Sequence, residues 1–268
     1  MGRASAVAVL LRWPNAVIAA AGVWVGALWA DRRGLGVATA VASGAAVAFT
    51  AFANAVNDLC DERIDSVAHP RRPLPSGQLV RGHCLAVVAA SGAAAVVLSA
   101  AAAPALGAMA IPVLLAMAVY SRVKRAGLPG NALVALLASL PFLFGAWSVG
   151  APRAAWPLIA VATPMHLARE IAKDIDDARG DRATRRTLPV AHGVVAARAV
   201  LLAALLGFAL ALVPLLRRQP AVAPLMLPTL ALAGAAALRS ATGRPGAPQL
   251  LKSAMVCAVA SLLAAVPR

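Results

Sequence analysis

Charge is scarce in this sequence. Of 268 residues only 13% are Asp, Glu, Lys or Arg, about half the roughly 25% of a soluble domain, and 61% are apolar. A soluble globular protein is excluded, and lipid is the solvent that such a composition suits. Cysteine is scarce too. Cys60, Cys84 and Cys257 stand scattered without metal-ligand spacing, so neither a zinc site nor a disulfide framework is indicated, and they are read as small buried or interfacial side chains. Aromatics make up 4%, with one tyrosine. The net charge of +15 therefore lacks the basic patch with interleaved aromatics that single-stranded nucleic acid would need, and nucleic acid is not expected as a partner.

What is present is a series of apolar stretches, each about the 17–25 residues that cross a bilayer core as helix. Nine are counted, at 14–30, 36–56, 84–103, 105–121, 131–150, 154–173, 194–216, 220–238 and 248–266. Backbone groups in lipid are satisfied within a helix, and the period-2 alternation of a barrel is absent. The expected fold is all-α, an integral membrane bundle of nine transmembrane helices forming a single domain over 1–268. The first stretch follows Arg3 and Arg12 as a signal peptide would, but eight similar ones follow, so it is taken as the first helix. With the N-terminus in the cytoplasm, that segment and the loops after even-numbered spans hold 15 Lys/Arg, against 6 on the opposite side. The positive-inside rule then puts the even-numbered exits in the cytoplasm.

Acids are the scarcest charge, and their placement is uneven. Nine of the ten lie in two segments: Asp58, Asp61, Glu62 and Asp65, then Glu170, Asp174, Asp176, Asp177 and Asp181; only Asp31 lies elsewhere. Four crossings separate the segments, an even number, so both emerge on one face and can share a site. Asn57, Asp61 and Asp65 recur every four residues, as do Asp177 and Asp181, with Asp174 one turn earlier; on helices each set would line one side. Stacked like charges repel unless cations bridge them. Carboxylate oxygens suit Mg²⁺, which usually takes one or two carboxylates together with substrate phosphates.

Cations complete the pattern. "HPRRPLPSG" (69–77) offers Arg71 and Arg72 ahead of stiffening prolines, and an arginine fork matches phosphate oxygens. "YSRVKRAGLPGN" (120–131) offers Arg122, Lys124 and Arg125. Each of these also serves as a topology determinant, and Tyr120 suits an interfacial belt as well as a site. "DSVAHPRRPLPSG" and "DRATRRTLPVAHG" both run from an acid through arginines to Leu-Pro and Gly, a short internal echo.

These segments resemble the UbiA superfamily of intramembrane prenyltransferases over nearly the whole chain. The resemblance is carried by N-x-x-x-D-x-x-x-D (Asn57, Asp61, Asp65), "RPLPSG" (72–77), Y-x-x-x-K (Tyr120, Lys124), D-x-x-x-D (Asp177, Asp181) and Arg-x-x-Asn in "RWPN" (12–15). "REIAKDIDDARGD" (169–181) followed by "TLP", "GN" before the fifth span and "PFLFGAWSVG" (141–150) are similar to the branch that makes digeranylgeranylglyceryl phosphate. Cys60 stands where the family often has an aromatic, and Val123 where leucine is common. The resemblance implies a central cavity, two Mg²⁺ ions and a prenyl diphosphate whose tail lies among apolar helices. It also implies metal ligation by Asn57, Asp58, Asp61, Asp65, Asp174, Asp177 and Asp181. Substrate would be bound by Asn15, Asn57, Asp58, Arg72, Arg122, Arg169 and Lys173, and Lys124 and Tyr120 would join the aspartates in catalysis. The expected activity is transfer of a prenyl group, through an allylic carbocation, to a lipophilic acceptor, with geranylgeranylglyceryl phosphate favoured.

Two other functions fit parts of the sequence. The same donor chemistry serves an aromatic acceptor, such as a hydroxybenzoate or naphthoate, and motifs transfer the donor half of a site better than the acceptor half. A transporter would place ionisable groups at mid-membrane depth or along both halves of a pathway, whereas these acids gather at one face.

Overall fold

The computed structural model describes residues 3–31, 35–123, 127–181 and 186–265. Among these residues there is no strand. Eleven α-helices follow in order: α1 (Arg3–Leu11), α2 (Trp13–Ala30), α3 (Val37–Ala68), α4 (Arg81–Ala102), α5 (Pro104–Val123), α6 (Leu128–Ser148), α7 (Trp156–Asp181), α8 (Leu188–Arg218), α9 (Val222–Leu225), α10 (Leu227–Ala241) and α11 (Ala247–Ala264), with a 3₁₀ turn at Pro152–Ala155 before α7. Among the described residues, six helical segments are long and apolar enough to cross a membrane: Trp13–Ala30, Val37–Val67, Arg81–Ala102, Leu128–Ser148, Leu188–Arg218 and Ala247–Ala264. Two more apolar helices, Pro104–Tyr120 and Leu227–Ala241, are shorter. The chain is a multi-pass, all-helical membrane protein.

Its contacts divide into two compact units. One holds Met1–Arg122 and Phe144–Pro152, the other Val123–Leu143 and Arg153–Arg268. In the first, α3 lies along α4 and α2. Small residues let backbones approach closely where no hydrophobic effect drives helices together. Gly145 is the clearest case, because a Cβ there would overlap the carbonyl oxygen of Val23 and the amide nitrogen of Ala27. Phe49 meets Phe144 edge to face, with ring centroids 5.4 Å apart, and the hydroxyls of Thr39 and Ser148 are 3.0 Å apart. In the second unit, α7 lies along α8, and α10 along α11.

Several boundaries differ from those expected, for local reasons. The stretch 36–56 belongs to a helix that continues to Ala68, through every acid of the first segment. The stretch 154–173 likewise extends to Asp181. The stretch 220–238 is not one helix. Pro228 opens α10, where its missing N–H costs nothing, and Met226 caps α9 through bonds back to Val222 and Ala223. Gly193 (φ 85°, ψ 158°) interrupts α8, so its long uninterrupted part starts at residue 194. The basic N-terminal stretch is itself helical: α1 buries Ala6 and Leu10 completely, one turn apart on one face.

Candidate active site

The first acidic segment is the C-terminal third of α3, and most of it is buried. Asn57, Asp58, Asp61 and Asp65 are 7%, 4%, 4% and 3% exposed. Carboxylates out of water require partners, and the sequence supplies them from two directions. Arg12, in the elbow between α1 and α2, donates from Nη2 to Asp58 Oδ1 at 2.6 Å. Arg72 donates from Nη1 to Asp65 Oδ2 at 2.5 Å and lies 3.9 Å from Asp58. Glu62, toward the outside, pairs with Arg81. Cys60 is exposed.

Both arginines are held by the apolar framework beneath them. Leu74 and Leu79 enter a buried cluster with Ala6, Leu10, Ala55 and Cys84, so the loop carrying Arg72 is anchored two residues past it. Within that loop Ser76 N–H donates to the Arg72 carbonyl, and Gly77, at φ +73°, closes the turn with a bond to Leu74. Asn54, one turn before Asp58, donates to the Leu11 carbonyl at 2.9 Å, which ties the end of α1 to α3. Arg12 itself has φ 49° and ψ 50°, the one non-glycine residue with positive φ among those described. A left-handed backbone at a long side chain is uncommon, and here it aims the guanidinium at Asp58. Asn15 sits half-buried in the first turn of α2, its N–H bonded to the Arg12 carbonyl.

The second segment lies on α7. Glu170 and Asp174 are buried, at 7% and 4%. Arg169 reaches Glu170 at 2.7 Å and Lys173 reaches its other oxygen at 3.7 Å. Asp174 accepts from Asn131 Nδ2, on the first turns of α6, at 2.8 Å. Asp176 accepts from the Gly246 N–H at 3.1 Å, which docks the turn before α11 on α7. Asp177 is exposed. Asp181 ends the helix, and its side chain, like that of Arg122 and all of Lys124, lies outside the described residues. Tyr120 is half-buried near the end of α5.

The structure thus joins Asp58 and Asp65 to Arg72 in the first unit, with Asn57 and Asp61 on the same buried stretch of α3, and in the second it joins Arg169 and Lys173 through Glu170, with Asp174 on the same helix. Three participants were not singled out from sequence. Arg12 had a signal in "RWPN", Asn131 in the "GN" before the fifth span, and Glu170 in its place between two cations. Among the described residues no three Asp, Glu, His or Cys side chains form a ready-made metal cage. Mg²⁺ in general keeps waters and takes substrate phosphates as ligands beside one or two carboxylates. Hard oxygen donors at helical spacing, backed by arginines, form a surface suited to a metal–diphosphate complex.

Known proteins resemble this chain in sequence and in fold. The digeranylgeranylglyceryl phosphate synthase of Methanothermobacter thermautotrophicus is 35% identical over 241 residues, 87% of this chain and 82% of that protein. The fold is similar to the apo structure of a UbiA homolog from Aeropyrum pernix K1, with a TM-score of 0.83 at 19% identity, covering 93% of this chain and 97% of that one. It is also similar to a UbiA homolog from Archaeoglobus fulgidus bound to GPP and Mg²⁺, with a TM-score of 0.72 at 16% identity, covering 97% and 99%. The UbiA prenyltransferase family profile matches residues 16–264, and the chain belongs to that family of membrane prenyltransferases.

Proposed function

We propose that the chain moves a geranylgeranyl group from its diphosphate to the free hydroxyl of geranylgeranylglyceryl phosphate, an ether-lipid step. The observation that carries the donor half is the buried stripe Asn57–Asp61–Asp65 on α3, oxygen donors one turn apart with Arg72 beside them. The acceptor half draws on the 35% identity to a digeranylgeranylglyceryl phosphate synthase over most of both chains.

In this reading the chain is one domain of nine crossings around a central cavity, with both acidic segments on the cytoplasmic side. Two Mg²⁺ ions would be held by Asp61, Asp65, Asp177 and Asp181, with Asn57 in support; when bound, they neutralise charge on the diphosphate oxygens. Arg72, Arg122 and Lys124 grip the same oxygens and stabilise the charge that grows as the carbon–oxygen bond breaks. Tyr120 and Asn15 orient the diphosphate. Apolar helix faces exclude water, which would otherwise capture the allylic carbocation before the acceptor oxygen does. Arg169 and Lys173, steadied by Glu170, give the acceptor phosphate a cationic seat.

Purified protein in nanodiscs, given geranylgeranyl diphosphate and Mg²⁺, tests this by release of pyrophosphate with one acceptor at a time. Turnover is expected with geranylgeranylglyceryl phosphate. Turnover with 4-hydroxybenzoate or a dihydroxynaphthoate instead overturns the acceptor assignment, and no pyrophosphate from any pair overturns the whole reading.

A further inference from the structure

The two acid-bearing helices are preceded by helices that start in the same way. Arg12, left-handed, precedes α2, which has Pro14 in its first turn. Gly127, also left-handed (φ +78°), precedes α6, with Pro129 at the matching place. An asparagine comes after each proline, Asn15 directly and Asn131 after one glycine. The chain then runs 43 residues from Asn131 to Asp174 and the same span from Asn15 to Asp58. Beyond these, Asp61 and Asp65 repeat the spacing of Asp177 and Asp181. The match continues past the acids: Leu74 and Leu188, both buried, each precede a proline and then a positive-φ glycine, Gly77 and Gly193.

In each half the leading carboxylate faces the start of the preceding helix. Asp58 accepts from Arg12, and Asp174 from Asn131, which is 1% exposed. The donors differ for a physical reason. A Cβ at Gly127 would stand 3.2 Å from the Arg186 carbonyl oxygen and 3.4 Å from the Leu188 amide nitrogen. A side chain there would crowd that backbone and, at φ +78°, be strained, and in this half the donor comes from the next turn of the helix. Upstream the halves diverge, with Glu170 and Lys173 standing where the first half has Asn54 and Asn57.

We infer that Asp58 and Asp174 are positioning residues, latches that fix the starts of α2 and α6 against the two motif helices, and that metal is held by the acids beyond them. The inference rests on the Mg²⁺-dependent reading for the role of those neighbouring acids. Each latch sets the rotation of its helix, and so the direction in which Asp61 or Asp177 points. Loss of a latch disturbs the site without removing a ligand.

The test uses the full chain in nanodiscs and near-isosteric variants. Asp174→Asn keeps an acceptor for Asn131. The exchange Asn131→Asp with Asp174→Asn keeps one hydrogen bond of reversed sense. Asn131→Ala abolishes the latch, and Asp177→Asn removes a proposed ligand. Two quantities are read: the thermal midpoint without metal, and Mn²⁺ affinity by electron paramagnetic resonance with a non-hydrolysable prenyl thiodiphosphate. For Asp174→Asn and for the exchange, metal affinity is expected within about threefold of wild type, since a hydrogen bond survives. Asn131→Ala is expected to lower the thermal midpoint, and the exchange to keep it near the wild-type value. A loss of metal affinity of about tenfold or more in Asp174→Asn, unrelieved by the exchange, makes Asp174 a ligand and overturns the inference. Wild-type metal affinity in Asp177→Asn instead defeats the underlying metal reading, whatever the latch variants do.

Discussion

Arg12 Nη2 and Asp58 Oδ1 stand 2.6 Å apart across 46 residues of sequence. The contact joins an uncommon backbone turn to the head of an acidic helix face. The Asp58 side chain is 6% exposed and that of Arg12 32%, so water screens the pair from one side only. Removing the arginine leaves a nearly buried carboxylate with Arg72, 3.9 Å away, as its remaining cation among the ion pairs described.

Arg12→Ala is therefore expected to destabilise the protein by about 2 kcal/mol, below the ~3–5 kcal/mol of a fully buried pair broken on one side. Adding Asp58→Asn should recover much of the loss, because the uncompensated charge is gone. Thermal unfolding of the single and double variants in one detergent measures both. Additive losses would mean the two groups do not interact.

Gly145 has a backbone reason to be glycine. Its α-carbon faces the Val23 carbonyl and the Ala27 amide with no room for a methyl group. Gly145→Ala is expected to cost about 2 kcal/mol or more, through displacement of α6 from α2. Gly207, where a Cβ would meet Pro164 only at 3.7 Å, provides the control, and Gly207→Ala should match or exceed wild-type stability because alanine favours helix.

Lys173 is bound to Glu170 on the second motif helix, while Arg72 is bound to Asp65 on the first. Lys173→Ala is expected to raise KM for a phosphorylated acceptor about tenfold, the scale of one charged hydrogen bond, with a smaller change for the diphosphate donor. Arg72→Ala should do the reverse. Equal effects of either variant on both substrates would contradict this division of labour.

The helical class and the multi-pass membrane character were legible because lipid imposes a long apolar run on each crossing. The acids were legible because ten acids leave few ways to be gathered by chance. What composition could not reveal was how such acids stay helical. The apolar stretch ends at residue 56, and the spacing of the acids beyond it fits a helix without showing what would hold one; α3 continues to Ala68, with Asp58 and Asp65 meeting arginines supplied from before and after it in the chain. Those partners are set by tertiary folding, which periodicity does not encode. Arg12 was visible in "RWPN", but its duty depends on a left-handed φ that sequence does not signal at arginine. The break between α9 and α10 was written in Pro224 and Pro228, and an apolar run concealed it. Asp177 differs in kind: it stands three residues beyond the buried Asp174 yet is exposed, because spacing is silent on what covers a given side of the helix.

The central claim of the proposed function is that the acids of both motif helices serve prenyl transfer. Its most direct test is the rate of prenyl transfer at saturating Mg²⁺ by Asp61→Ala and Asp177→Ala, each compared with wild type in the same membranes. Near-complete loss in both, with the folded protein retained, is expected. Transfer within a few-fold of wild type in either variant would contradict the claim.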